Sequence, residues 1–256
     1  MESKAYEYMD WPRIEAVVYG EEASPKDVMA PRLTTDGVLI QGFFPEADKA
    51  EVLVGSRKYE MEQEDEAGYF AAMIPGRKIP DYKYRVTKGE ETKEFADPYA
   101  FSGQITEAEE KAFCAGVYYH AYEKLGAHPM EINGVKGTSF AVWAPNAMRV
   151  SVVGDFNAWD GRCHAMHRMP MSGIFELFIP GVKAGDIYKY ELKLKGNRIE
   201  LKSDPYAACT EVPPANASVV ADTSVFQWED ETWMKERKKF SDRKQPINGN
   251  PNCHVA

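Results

Sequence analysis

Long apolar runs are missing from this sequence: nothing in it approaches the roughly 18 consecutive hydrophobic residues that a membrane-spanning helix needs. The first residues, Met1-Glu2-Ser3-Lys4, are polar where a secretory signal would be basic and then apolar. A cytoplasmic protein with no membrane partner is expected. Cysteine is scarce. The four present, Cys114, Cys163, Cys209 and Cys253, are widely scattered and form no Cys-x-x-Cys pair, so neither a disulfide framework nor a zinc knuckle is indicated and reduced thiols are expected. Basic charge is also in deficit, with 31 Lys and Arg against 40 Asp and Glu. A net charge of −9 repels a phosphate backbone, so nucleic acid is not an expected partner. The one dense basic run, Lys235, Arg237, Lys238 and Lys239, alternates with Glu236 and follows Trp228 and Trp233. It reads as the solvated side of a short amphipathic helix over residues 230–237, ending before Pro246.

Catalytic signatures are absent as well. The sequence has no glycine-rich phosphate loop, no nucleophile elbow and no His-Glu-x-x-His pattern. Acidic residues are plentiful, but none falls in a pattern that would hold two carboxylates about 5 Å apart, as a retaining glycosidase requires. Cys163-His164 with His167 offers three potential metal ligands in one loop and no second cluster. Neither a catalytic residue, a metal nor a cofactor is expected.

What the sequence does contain is a repetition. Phe43-Phe44-Pro45 precedes Ala50 to Val54 as Trp143-Ala144-Pro145 precedes Val150 to Val153. Tyr69 to Gly76 answers Ile174 to Gly181, Tyr82-Lys83-Tyr84 answers Tyr188-Lys189-Tyr190, and Asp97-Pro98-Tyr99-Ala100 answers Asp204-Pro205-Tyr206-Ala207. The spacing grows from 100 residues at Phe43 and Trp143 to 107 at Asp97 and Asp204, so the second copy gains length only between landmarks, where surface loops accept insertions. Such a period is that of a duplicated domain.

Within each copy the landmarks are short aromatic and β-branched runs, bounded by Gly, Pro, Asn and Asp turns. They predict an all-β chain: two tandem immunoglobulin-like antiparallel β-sandwiches with a short linking helix and a C-terminal helix. Thr106-Glu107-Ala108-Glu109 has the form of a capping box, and Gly116 stands where the linking helix would stop. The expected divisions are an N-terminal segment 1–30, a first module 31–103, a linker 104–133, a second module 134–225, and a helix and tail 226–256.

In the second copy the loop Gly154-Asp155-Phe156-Asn157-Ala158-Trp159-Asp160-Gly161 is an aromatic turn. An indole presents a negatively polarised face that packs against the C–H face of a pyranose, so Trp159 is a candidate sugar platform; it could equally close the end of the sandwich as a core residue. Lys189 could donate to sugar hydroxyls, or cover apolar surface with its stem. Asn157 could bind a hydroxyl, or serve as a turn former. The first copy has only Gly55-Ser56-Arg57-Lys58-Tyr59 at this place, so the second module is the expected binder.

Tyr122 to Pro129, Phe140 to Ala147, Val150 to Gly161, Glu176 to Gly181, Tyr188 to Glu191 and Lys202 to Ala207 closely resemble the N-terminal region of bacterial 1,4-α-glucan (glycogen) branching enzymes. The resemblance runs strongly over residues 105–247 and more weakly over 30–101. It implies that the second module is of the carbohydrate-binding family 48 type and that the partner is glycogen or another α-1,4-glucan. Related modules of glycogen-sensing kinases contact glucan through the tryptophan of a Phe-Asn-x-Trp turn and the lysine of a Tyr-Lys strand. These fall on Trp159 and Lys189, with Phe156 and Asn157 in the same turn. A second aromatic of those sensors falls near residues 198–201, where this chain has none. The family continues after Pro246-Ile247 into a catalytic barrel that takes about 250 residues and would be this chain's other partner. Here residues 249–256 are polar and strand-breaking. The complete enzyme would move an α-1,4-glucan segment to a 6-hydroxyl and form an α-1,6 branch; this chain alone is expected to bind and not to turn over. A free-standing glycogen-binding or scaffold protein is the alternative organisation.

Overall fold

The structure is a computed structural model of the chain and describes residues 4–225 and 229–240. The polar ending at 249–256 and the expected stop before Pro246 lie outside the described residues. Two units are present, one reaching to Asp222 and one from Thr223 onward. The second holds a helix, Glu231–Phe240, where the basic run predicted one.

The first unit contains two antiparallel sandwiches. In the first module, β1 (Arg32–Leu33), β2 (Val38–Phe43), β5 (Glu62–Asp65) and β6 (Tyr69–Ile74) form a sheet in the order β1-β2-β6-β5. It faces a sheet ordered β4-β3-β7-β8, made of β3 (Lys49–Val54), β4 (Arg57–Glu60), β7 (Lys83–Lys88) and β8 (Glu91–Phe95). In the second module, β9 (Gly126–Ile132), β10 (Val135–Trp143), β12 (His167–Arg168) and β13 (Ile174–Pro180) are ordered β12-β13-β10-β9. Opposite lie β11 (Arg149–Gly154), β14 (Ile187–Leu194), β16 (Cys209–Thr210) and β17 (Ser218–Val219), ordered β11-β14-β17-β16, with β15 (Arg198–Lys202) paired to β14.

Side chains alternate along a strand, so a strand with one wet face buries every second residue. β2 buries all six. Val38 and Ile40 point into the first sandwich beside Val52, Phe70 and Tyr84. Leu39 and Phe43 point the other way, into a cluster that also holds Ile14, Val17 and Val18 of α1 (Trp11–Val18) and Val28 and Met29 of α2 (Lys26–Met29). The same cluster runs on into the second sandwich through Phe140, Val152, Phe175 and Tyr188. Burying an aliphatic side chain of this size stabilises by about 1.5–3 kcal/mol, so the two small helices fasten both modules together. Sequence patterning indicated only a segment here. The signal was present in Ile14, Val17 and Val18, one helical stripe, with Pro12 in the first turn.

The linking helix α3 (Glu107–Cys114) starts at the Thr106–Glu109 capping box, both halves of which are formed. It is held to the second module by the buried Glu110 carboxylate, which accepts from Met171 N, Ser172 N and Ser172 Oγ, each at 2.9 Å.

The repeated Tyr-Lys-Tyr and Asp-Pro-Tyr landmarks meet inside each sandwich. Asp97 Oδ2 accepts from Tyr82 (2.5 Å) and lies 3.0 Å from the Tyr84 hydroxyl, while Oδ1 accepts from Tyr99 N at 2.8 Å. In the second module Asp204 stands in the same relation to Tyr188 (2.6 Å), Tyr190 (3.3 Å) and Tyr206 N (2.8 Å). Only the first of these clamps is also a joint between modules. Tyr99 is buried and donates to Ala165 O across the boundary at 3.0 Å, whereas its counterpart Tyr206 is 44% exposed.

Burial pushes the Asp97 carboxyl from 3.8 up to about 6. The local geometry agrees, because the single Tyr84 hydroxyl hydrogen has a nearer acceptor in Gln41 O, 2.6 Å away. A protonated Asp97 can donate back to the Tyr84 oxygen. The folded chain thus keeps a proton that the unfolded chain releases, and stability that Asp97 contributes at low pH is lost as the pH rises through about 6. We expect unfolding in urea to show the difference between Asp97→Asn and wild type moving in the variant's favour by about 2 kcal/mol between about pH 4.5 and 7. An unchanged difference would mean that Asp97 does not titrate in this range.

Candidate functional site

β11 ends at Gly154, where the chain leaves the sheet under tight confinement. A Cβ there would fall 2.4 Å from Ile187 O and 2.6 Å from the Phe156 ring, so no other residue fits without rearrangement. A 3-10 turn, Asp155–Asn157, follows. Asn157 fixes it from within: Oδ1 accepts from Gly154 N (3.0 Å), and Nδ2 donates to Val152 O (2.8 Å) and lies 2.9 Å from His164 Nδ1. Burial lowers His164 to about 4, so its imidazole is neutral and accepts the Asn157 proton at Nδ1.

The next two residues, Ala158 and Trp159, both take left-handed backbone conformations, with φ of 53° and 61°. Side chains rarely accept this, and each such residue costs on the order of 1 kcal/mol or more. The strain brings the indole to the rim of the sheet, where Nε1 donates to Asp155 Oδ1 at 2.8 Å. Trp159 is half-buried and belongs to none of the three apolar clusters. Beyond it the loop is tied down again. The Arg149 guanidinium, 3% exposed, donates to Gly161 O, to Ser151 Oγ at 2.6 Å and to Glu191 Oε1 at 2.5 Å. Trp159 therefore stands on a turn clamped at both ends.

Phe156 turns inward. Its ring meets His164 edge-on at 5.7 Å and, with Asn157, lines a cavity of about 190 Å³ whose other wall includes Phe44, Tyr84 and Phe95 of the first module. Lys189 pairs with Val153, one position from the start of the turn. Its neighbours Tyr188 and Tyr190 point into the core, so the alternation sends Lys189 outward. There Nζ donates to Asn216 Oδ1, an exposed amide on the loop before β17 that sequence reasoning did not single out. Leu201 and Ile199, opposite Glu191 and Lys193, occupy the same outward face and are 51% and 56% exposed. They stand where a second aromatic was sought.

At the corresponding place in the first module, β3 and β4 are joined by the two-residue turn Gly55-Ser56, too short to carry a platform. Cys163, His164 and His167 do not converge: His164 is bound to Asn157 beneath the turn, His167 pairs with Glu176 in the opposite sheet, and burial pushes the Cys163 thiol up to about 12. Among the described residues no three His, Cys, Asp or Glu side chains are grouped to hold a metal ion.

Residues 10–99 match the N-terminal domain of the alpha-1,4-glucan branching enzyme GlgB, and residues 124–207 match carbohydrate-binding module 48, the isoamylase N-terminal domain. Each sandwich thus falls, wholly or for the most part, within the reach of one of these two domain models. Among curated relatives, the 1,4-alpha-glucan branching enzyme GlgB of Cereibacter sphaeroides is 42% identical over 250 residues, covering 96% of this chain and 34% of its own length. That of Synechococcus elongatus is 39% identical over 243 residues, covering 92% and 31%, and that of Paramagnetospirillum magneticum 39% over 236 residues, covering 91% and 32%. The chain thus spans about a third of these relatives. No described helix is long and apolar enough to cross a membrane.

The Trp159 turn lies wholly within the stretch that matches carbohydrate-binding module 48, and Asn157 supplies the bonds that hold it from within. Replacing Asn157 by alanine leaves Gly154 N and Val152 O without their partner. We expect Asn157→Ala to lose about 2 kcal/mol of stability in urea and to speed amide exchange at residues 154–160 ahead of the rest of the module. Wild-type exchange in that segment would show that the turn is held by other contacts.

Proposed function

We propose that this chain binds α-1,4-glucan on the outward face of β14 in its family 48 module, and that it serves as the glucan-holding front of a cytoplasmic branching enzyme. The observation that carries the reading is the indole of Trp159, raised on two left-handed residues and fixed by Asn157 on one side and Arg149 on the other. A strained turn persists only where surrounding contacts over-determine it, and such turns cluster at binding sites.

Glucose offers a C–H face and a rim of hydroxyls. The indole takes the face and loses little entropy, because it is already positioned. Lys189 donates to a hydroxyl and Asn216 can both donate and accept, so exchanging their mutual bond for sugar contacts leaves neither unpaired. Leu201 extends the apolar floor along the strand. Asn157 and Phe156 act through the turn, the first by its internal bonds and the second by its packing against His164. In the complete enzyme, a catalytic barrel acting on the same chain would receive glucan at raised local concentration through this tether. The branch-forming transfer from an α-1,4 segment to a 6-hydroxyl belongs to that barrel.

Affinity electrophoresis in glycogen and calorimetry with maltoheptaose test the site. Trp159→Ala should bind about tenfold more weakly, the loss of about 1.4 kcal/mol of stacking, and Lys189→Ala severalfold more weakly. Equal retardation of Trp159→Ala and wild type would remove the indole from the site.

A further inference from the structure

The duplication extends to the position that carries Lys189, and there the first module has a groove. Leu53 pairs with Lys83 in the β3–β7 ladder as Val153 pairs with Lys189 in the β11–β14 ladder, and Val52 with Tyr84 as Val152 with Tyr190. Lys83 is thus the register equivalent of Lys189 on the equivalent outward face. In the second module that lysine is hydrogen-bonded to Asn216, whereas Lys83 is exposed and its ammonium has no hydrogen-bond or ion-pair partner among the described residues. It lines an open groove of about 700 Å³ between the modules. One wall is the segment Ile79 to Tyr82 with Phe101, and the facing wall is the β9–β10 hairpin of the second module, at Asn133 and Val135.

From these features we infer that the groove is a second α-glucan site, formed jointly by both modules. This inference rests on the glucan reading given above. The volume lies within the range of about 300–1,000 Å³ typical of small-ligand sites. The lining has the composition that a neutral polyol needs. Asp81 offers acceptors, Lys83 donors, and Asn133 and Ser102 both; all four side chains are exposed and uncommitted among the described residues. Tyr82, Phe101 and Ile79 supply apolar contact for sugar C–H faces, and Tyr82 is held in place by its bond to Asp97. A polyanion is disfavoured by Asp81 and Glu94 on the same lining and by the net charge of −9. The first module lacks a platform on its β3–β4 turn, and here the neighbouring module provides the second wall instead.

Amide hydrogen exchange on the whole chain with and without maltoheptaose separates this site from the Trp159 face. In wild type, protection is expected both at residues 79–83 with 133–135 and at residues 155–160 with 187–189. Trp159→Ala should lose the second set and keep the first. Lys83→Ala, an exposed substitution that does not threaten folding, should do the reverse and raise the concentration for half-protection of the groove about tenfold. Protection confined to 155–160 and 187–189 would overturn the groove and leave the Trp159 site standing. Protection confined to the groove would uphold it and overturn the Trp159 site. No protection at either place would overturn both.

Discussion

Each sandwich is closed by a carboxylate buried between two tyrosine hydroxyls, and most of what is distinctive in the chain follows from placing that group. Tyr84 and Tyr190 reach across the core from one sheet toward backbone carbonyls of the other, Gln41 O and Ala141 O. Asp97 and Asp204 enter from the segment that leaves the last long strand and bring it back under the sheet. A charge in such surroundings is costly unless hydrogen-bonded. The requirement fixes two tyrosines two residues apart at the head of one strand, an aspartate after the next strand, and a turn in which the aspartate also accepts from the amide two residues on. Lys83 and Lys189 stand between those tyrosines, and the pleat turns them outward as a direct result.

That geometry explains why the repeat was legible. Landmarks recurring in order were the parts of the clamp and of the strands around it, and insertions between them fell in loops. The sandwich architecture, the linking helix with its capping box and the aromatic turn could all be read from residue types alone. Trp159 could not be assigned to rim or core from its neighbours, since both roles suit an aromatic after a strand. The fold leaves it half-buried outside the three apolar clusters, on a pair of left-handed residues, Ala158 and Trp159, and nothing in either residue type announces a positive φ.

Other features stayed hidden for related reasons. Asn216 is remote in sequence from Lys189 and meets it only because β17 pairs with β14. Leu201 and Ile199 became part of the outward face through the register of β15, which depends on the length of the intervening turn. The N-terminal helices are short, and their apolar stripe is weak evidence of structure taken alone. Their importance lies in what they cover: the outer side of β2, which an isolated sandwich would leave wet.

The cluster those helices complete has a further meaning. Duplicated domains are commonly beads on a string, each with a private interior and a hinge between. Here the first repeat keeps an interior of its own around Val38, Ile40 and Tyr84, but Leu39 and Phe43 on its outer side join Phe140 and Val152 of the other repeat in one cluster, sealed by Ile14, Val17 and Met29. The copies have consequently ceased to be interchangeable. Neither could be excised or swapped without opening part of that shared cluster to solvent.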